Sequence, residues 1–191
     1  LGLLGAATGT EFAEPLHSEA LDPLYEAFVS LDVPLFLHPA PSGIDGPPGD
    51  PNLKRFDLDV IIGFAAQESI AVATLIFGGV LDRHPKLDIW ISHGGGGIPM
   101  LAARLAQAAR KRPWATENIK KDGAFEEALT RFWYDAHVTA PSALSLLQTW
   151  AGNDRIVYGT NFAGWDQPEH GGHGDIDPIW ADNARRLLRK D

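Results

Sequence analysis

The chain of 191 residues contains no cysteine. Disulfides and zinc–thiolate sites are therefore excluded, and any metal must be held by imidazole nitrogen or by side-chain oxygen. A cysteine-free chain suits a reducing compartment, and the cytoplasm is the expected location. Positive charge is also scarce, with 16 Lys and Arg against 25 Asp and Glu, for a formal charge of −9. That balance lacks the clustered basic residues of a nucleic-acid footprint, so a small molecule is the expected partner. Long uninterrupted apolar runs are missing too. The longest weakly charged stretch, Ile61 to Leu81, is broken by Gln67 and Glu68. Its uncharged remainder, Ser69 to Leu81, is shorter than the ~20 residues of a spanning helix, so a buried helix and no membrane partner are expected. The first residues lack the basic opening of a secretory leader. Met100 is the only methionine, and the sequence reads as the later part of something longer.

The residues that are present alternate between two patterns. Leu1 to Ala7 reads as a buried strand, and Ser18 opens a helix whose Leu21, Leu24, Tyr25, Phe28 and Leu31 recur at helical spacing. Val33 to His38 is a short, almost wholly apolar strand of the kind buried on both faces in a parallel sheet. Residues 39–55 hold five prolines and three glycines, too many breakers for regular structure, and a loop of that length is often functional. A long helical pattern then runs to Leu81, with breaks expected near Gly63 or Gly78. Lys86 to Ser92, Arg131 to His137 and Arg155 to Gly159 read as further strands. Helices are expected over Ile98 to Lys111, with Leu101, Leu105 and Ala108 on one face, over Pro141 to Trp150, and over Pro178 to Arg189.

Five strand–helix alternations at roughly the ~30-residue period of a βαβ unit select a parallel α/β sheet in a single domain, residues 1–191. An open doubly wound sheet gathers its polar groups at one switch point, whereas a (βα)₈ TIM-like barrel spreads them over several strand ends. His38, His93, His137 and Asn161 lie at or just past four different strand ends. The barrel is the expected fold.

His38 comes directly after an apolar strand and precedes Pro39, so its imidazole emerges at the strand's rim, where a neutral ring is a good metal ligand. His93 precedes Gly94 to Gly97, and glycines there read as clearance that lets a substrate approach the histidine, in preference to the alternative of tight packing alone. A lipase-like oxyanion hole is excluded, because no Gly-x-Ser-x-Gly elbow occurs. Asn161 reads either as a site residue or as a loop-capping amide, and Asp166 is the nearest carboxylate in its loop. Asp135 and His137 alternate along one strand and read as a charge-compensated pair. Arg83 and His84 read as solvated loop, and His17, His170 and His173 as surface histidines.

With His38-Pro39, the run Ser92 to Pro99, the run Val157 to Asn161, the segment Gly79 to Leu87 and the closing Asn183 to Leu188 in hand, the chain resembles the amidohydrolase-2 family. Its nearest branch is the one containing aminocarboxymuconate-semialdehyde decarboxylase and γ-resorcylate decarboxylase. The resemblance implies a (βα)₈ barrel of the metal-dependent hydrolase type with one divalent metal, Zn²⁺ or alternatively Mn²⁺, and a homodimer. It makes residues 1–7 the fourth strand, so that about the last five βα units are present here. Some ~90 to 120 residues of three preceding units are implied, together with their His-x-His or Glu-x-His metal pair, which does not occur in these residues. By the same resemblance His38 is a metal ligand. His93 is the acid/base beside metal-bound water or substrate, and Asn161 stands where the family carries a metal-binding, proton-accepting aspartate.

An amide can offer oxygen to a metal but cannot accept a proton. Metal-hydroxide hydrolysis with a base at position 161 is disfavoured, and the resemblance points to a metal-dependent non-oxidative decarboxylase of a small aromatic or unsaturated carboxylic acid. Loop 39–55 and Trp165 would cover the pocket. There are two rivals: a hydrolase of C–C, amide or lactone bonds using Asp166 as base, and a metal-free, non-catalytic binding barrel.

Overall fold

The computed structural model describes residues 2–39, 51–138, 140–161, 164–167 and 177–190. Five short strands form one sheet in chain order: β1 (Ala6–Thr8), β2 (Leu35–Leu37), β3 (Ile89–Ile91), β4 (Trp133–Asp135) and β5 (Ile156–Val157). Every pairing is parallel; Leu35 lies beside both Ala6 and Ile89, and Tyr134 beside both Ile91 and Ile156. A doubly wound sheet reverses its strand order at a switch point, whereas successive units of a (βα)₈ barrel do not. The sheet is therefore an arc of five consecutive barrel units, as the strand-end scatter of polar residues implied.

Helices α1 (Asp22–Leu31), α2 (Leu58–Ile61), α3 (Gly63–Phe77) and α4 (Val80–Arg83) precede β3, and α5 (Ile98–Lys111), α6 (Ala124–Leu129), α7 (Pro141–Ala151) and α8 (Pro178–Leu187) come after it. Their ends carry local signals. Pro23, Pro99, Pro141 and Pro178 occupy first-turn positions, where no backbone N–H is missed. The Asp177 carboxylate accepts from Ile179 N at 3.1 Å to start α8. The long helical pattern before β3 breaks at both expected places, at Ile62 and at Gly78-Gly79.

Alternation along the strands gives the sheet two apolar faces. Leu35, Leu37, Ile89, Ile91, Tyr134 and Ile156 are almost fully buried among Ala71, Val72, Leu75 and Ile76 of α3 and Ile98, Ala102 and Ala106 of α5. On the other face Trp133 and Val157 pack with Trp90 and with Leu187 of α8. The expected face of α5 is corrected: Ala102, Ala106 and Ala109 are buried while Leu101 stays exposed, because short side chains let α5 sit close to its neighbours. The run Leu58–Phe77 is longer and more apolar than expected, 20 residues with mean hydropathy 1.9, enough by length and composition to cross a membrane. Here it is broken at Ile62, and its α3 part covers the sheet.

His84 is also corrected. It is buried, with Nε2 2.9 Å from Asp22 Oδ1, and Arg83 donates to the same carboxylate from Nε at 3.2 Å. Hydrogen bonds from Arg83 and then His84 hold the Asp22 carboxyl below its usual range. This cluster ties α1 to α4 on the periphery.

Candidate active site

The parallel sheet sends the C-terminal ends of β2 to β5 to one rim, and each end delivers a polar side chain. His38 is the first residue past β2, His93 lies two residues past β3, His137 two past β4 and Asn161 four past β5. The imidazoles form a row, with ring centroids 5.3 Å apart for His38 and His93 and 5.2 Å for His93 and His137. With Phe64, Trp165 and Asp166 they line a cavity of ≈ 390 Å³, within the usual size range of a small-molecule site. All four site positions chosen from sequence, His38, His93, Asn161 and Asp166, meet in that one cavity.

His93 is the most firmly held. Its Nδ1 lies 2.6 Å from Glu68 Oε1, and the Ser92 hydroxyl donates to the same oxygen. Glu68 comes from α3 and is fully buried. Burial opposes a charged His93, but the hydrogen bond and charge of Glu68 outweigh it and hold the imidazole above its ordinary pKa. Burial likewise pushes the Glu68 carboxyl up, against its bonds to His93 and Ser92. The pair keeps one proton between its members, and Nδ1 is tied down so that Nε2 is left for chemistry. His93 adopts φ 45, left-handed backbone that a bulky residue seldom takes and that is concentrated at functional sites.

The glycines after His93 serve packing rather than substrate clearance, which corrects the sequence reading. A Cβ on Gly94 would lie 2.6 Å from the Val138 side chain, on Gly95 2.9 Å from the Tyr134 ring, and on Gly96 2.2 Å from the Ala65 carbonyl oxygen. The turn is pressed into the protein from three sides. Its amides are also spoken for, since Gly94 N donates to Asp135 Oδ1 at 3.0 Å and Gly97 N to Ser69 Oγ at 2.8 Å.

The Asp135–His137 pair is not an ion pair of side chains. Asp135 is buried, accepts from the backbone N–H of Gly94 and of His137, and its carboxyl is pushed up by burial. The His137 ring turns toward Asp166, whose Oδ2 is 3.4 Å from Nε2. Asp166 Oδ1 accepts from Asn161 Nδ2 at 2.6 Å. An aspartate at 161 could not make that bond; the negative charge of this corner is carried by Asp166 instead.

Two residues fit a metal. The His38 ring has Nδ1 2.7 Å from the Pro39 carbonyl, which fixes the tautomer with a lone pair on Nε2. Burial also lowers the His38 pKa, favouring the neutral ring that binds metals. Asn161, whose NH₂ donates to Asp166, could offer its amide oxygen. Among the described residues no three His, Asp or Glu side chains close around one point as a metal cage would require.

Glu68 was visible in the sequence only as an interruption of an apolar run, and His137 only as a strand-end residue paired with Asp135. A lone carboxylate in a helix otherwise bound for the core is the signal that could have marked Glu68. Residues 40–50 of the expected covering loop, with His170 and His173, lie outside the described residues. Trp165 is 72% exposed at the cavity mouth.

Consecutive parallel βα units with histidines at their C-terminal rim define the class of metal-dependent-hydrolase-type TIM barrels. Within that class the family model for amidohydrolases matches residues 6–190, and the chain belongs to that family. It is 28% identical over 163 residues to a 2-amino-3-carboxymuconate-6-semialdehyde decarboxylase of Dictyostelium discoideum, covering 85% of this chain and 44% of that protein. A protein of the same description from Caenorhabditis elegans is 30% identical over 138 residues, 69% of this chain and 32% of that one. Among solved structures, 5-carboxyvanillate decarboxylase from Novosphingobium aromaticivorans, complexed with manganese and 4-hydroxy-3-methoxy-5-nitrobenzoic acid, matches with a TM-score of 0.77. The two are 25% identical over 99% of this chain and 57% of that structure. The chain thus spans less than half the length of these two curated relatives.

Proposed function

We propose that the chain carries the catalytic rim of a non-oxidative decarboxylase, a carboxy-lyase acting on a small aromatic or unsaturated carboxylic acid with one divalent metal, Zn²⁺ or Mn²⁺. The observation that carries this reading is the buried Glu68 carboxylate gripping His93 Nδ1 beside the cavity. It produces an imidazole that keeps its proton to higher pH than an ordinary histidine and presents it through one defined nitrogen, which suits a general acid. His38 and the Asn161 amide oxygen are the groups here that would hold the metal, which supplies Lewis-acid polarisation of a substrate oxygen.

The reaction asks the chain for little else. His93 delivers a proton to the carbon that bears the carboxylate. The bond from that carbon to the carboxylate then breaks, its electron pair restores the conjugated system, and CO₂ leaves. One proton is taken up from solvent per turnover, and His93 recovers it with Glu68 as its counter-charge. No water need be deprotonated, which agrees with a neutral residue at 161. The hydrolase alternative requires Asp166 as a free base, and the hydrogen bond that its Oδ1 accepts from Asn161 argues against that role.

The test uses the whole protein loaded with Zn²⁺ or Mn²⁺, incubated with a panel of hydroxybenzoates and unsaturated dicarboxylates. CO₂ release is the expected result. Hydrolysis of amide or lactone substrates without CO₂ release would overturn the reading in favour of a hydrolase. A protein that takes up no stoichiometric metal and turns over neither panel is a binding barrel. A homodimer accompanies the proposal on family resemblance and a cytoplasmic location on the lack of cysteine, and light scattering tests the dimer.

A further inference from the structure

His137 has a feature that the proposed chemistry leaves unused. Its side chain is buried, at 3% exposure, yet among the described residues neither ring nitrogen has a hydrogen-bond partner. Asp166 Oδ2, 3.4 Å from Nε2, is within ion-pair range but makes no hydrogen bond to it. A buried polar atom without a partner is destabilising, and folded proteins seldom tolerate two on one ring without a reason. The ring is also in a telling place. It lines the cavity, stands 5.2 Å from His93 ring to ring with the planes at 53°, and is held in position by its own backbone N–H on Asp135.

We infer that His137 is a substrate-anchoring residue, and that the missing partner of its ring is a carboxylate oxygen of the small acid bound in the cavity. An imidazole offers an N–H in any protonation state, and a carboxylate oxygen is the acceptor that every substrate of the proposed class brings. With the acid group at His137, the carbon that bears it lies on the side of His93, where the proton is delivered. Asp166 steers the ring from behind and is itself fixed by Asn161, so the trio His137–Asp166–Asn161 acts as one positioning unit. The inference rests on the decarboxylase reading for the identity of the ligand, and on the burial and orphaned nitrogens of His137 for the site.

The test separates the two. Calorimetric affinity for an unreactive hydroxynitrobenzoate is measured on the whole metal-loaded protein, alongside CO₂ release and thermal midpoint, for wild type, His137→Gln and His137→Leu. We expect His137→Leu to bind the probe about tenfold more weakly or worse, the scale of one lost hydrogen bond to a charged group. His137→Gln, which keeps a donor, should recover part of that loss. KM should rise in both with a smaller change in kcat, the pattern of lost uniform binding. In the ligand-free protein His137→Leu should leave the thermal midpoint unchanged or raise it, because it removes unpaired polar atoms. Unchanged probe affinity in both variants overturns the inference, as does a large drop in the ligand-free midpoint for both, which would make His137 a structural residue. Probe binding that falls in the variants while wild type releases no CO₂ supports the anchor and sinks the decarboxylase. CO₂ release with unchanged affinity and KM in the variants does the reverse.

Discussion

On one wall of the cavity, His93 is gripped by Glu68, Glu68 is gripped in turn by Ser92, and the turn beneath them is packed tightly enough that three glycines have no room for a Cβ. On the neighbouring wall, one strand along, His137 has no hydrogen bond to either nitrogen among the described residues, and its neighbour Asp166 sits on a loop whose Trp165 is largely exposed. The first wall is complete in the protein alone; the second is left open for something else to complete. Rigid placement is what a proton donor needs, since proton transfer demands reach and direction. Unsatisfied donors are what a binding wall needs, since a group already bonded within the protein contributes little to a ligand.

Variants that strike one wall at a time test this contrast. The largest effect is expected for His93→Asn, which removes the acid: CO₂ release should fall by roughly 10²–10⁴-fold while affinity for an unreactive hydroxynitrobenzoate changes little. Equal losses in both would erase the distinction between the walls. Gly96→Ala comes next, because at φ 62 its Cβ would meet the Ala65 backbone. Combining backbone strain with overpacking, it should lower stability by about 3 kcal/mol, measured by urea unfolding. A variant as stable as wild type would show that the turn is not under compression.

Glu68→Gln sharpens the comparison through pH, with a loss of roughly 10–100-fold expected from its role of holding His93. The raised pKa of His93 means that its protonated form, and the stability linked to it, persists above the ordinary 6.5 and is lost as pH rises through the raised value. Activity should therefore hold through neutrality and fall on the alkaline side. Glu68→Gln removes what raises the pKa and leaves burial, which lowers it, so the alkaline limb should move to lower pH; a limb that stays in place refutes the pairing. The smallest effect is assigned to Asn161→Asp, about tenfold weaker probe binding at neutral pH, because a second negative charge then abuts Asp166. Adding Asp166→Asn should restore affinity, and failure to do so would break the link between these two residues.

The architecture was legible because apolar strands such as Leu35–Leu37 and Ile89–Ile91 end abruptly in histidine, and a parallel sheet sends all such ends to one rim. His38, His93, His137 and Asn161 could be placed at one rim on that logic, and Asp166 entered as the nearest carboxylate in the loop of Asn161. Glu68 could not, since its role depends on which face of α3 meets β3, and no local pattern encodes that contact. The purpose of the glycines was misread for the same reason: whether a missing Cβ makes room for a ligand or for Val138 and Tyr134 is decided by residues some forty positions away. The face of α5 was misread because leucines outweigh alanines on any hydropathy scale, whereas close approach of the helix to its neighbours selects the smaller side chain.

Asp135 gives the two walls a common fate. Its single carboxylate accepts from Gly94, on the turn that carries His93, and from the amide of His137 itself. A displacement of either histidine must pass through this one buried group, so the walls move as coupled parts. A ligand that shifts the His137 backbone will retune the placement of the proton on His93. Substitutions at the two histidines should then be non-additive, with an interaction energy of roughly 0.5–3 kcal/mol in a double-mutant cycle, and the cavity would sense its occupant before the chemistry begins.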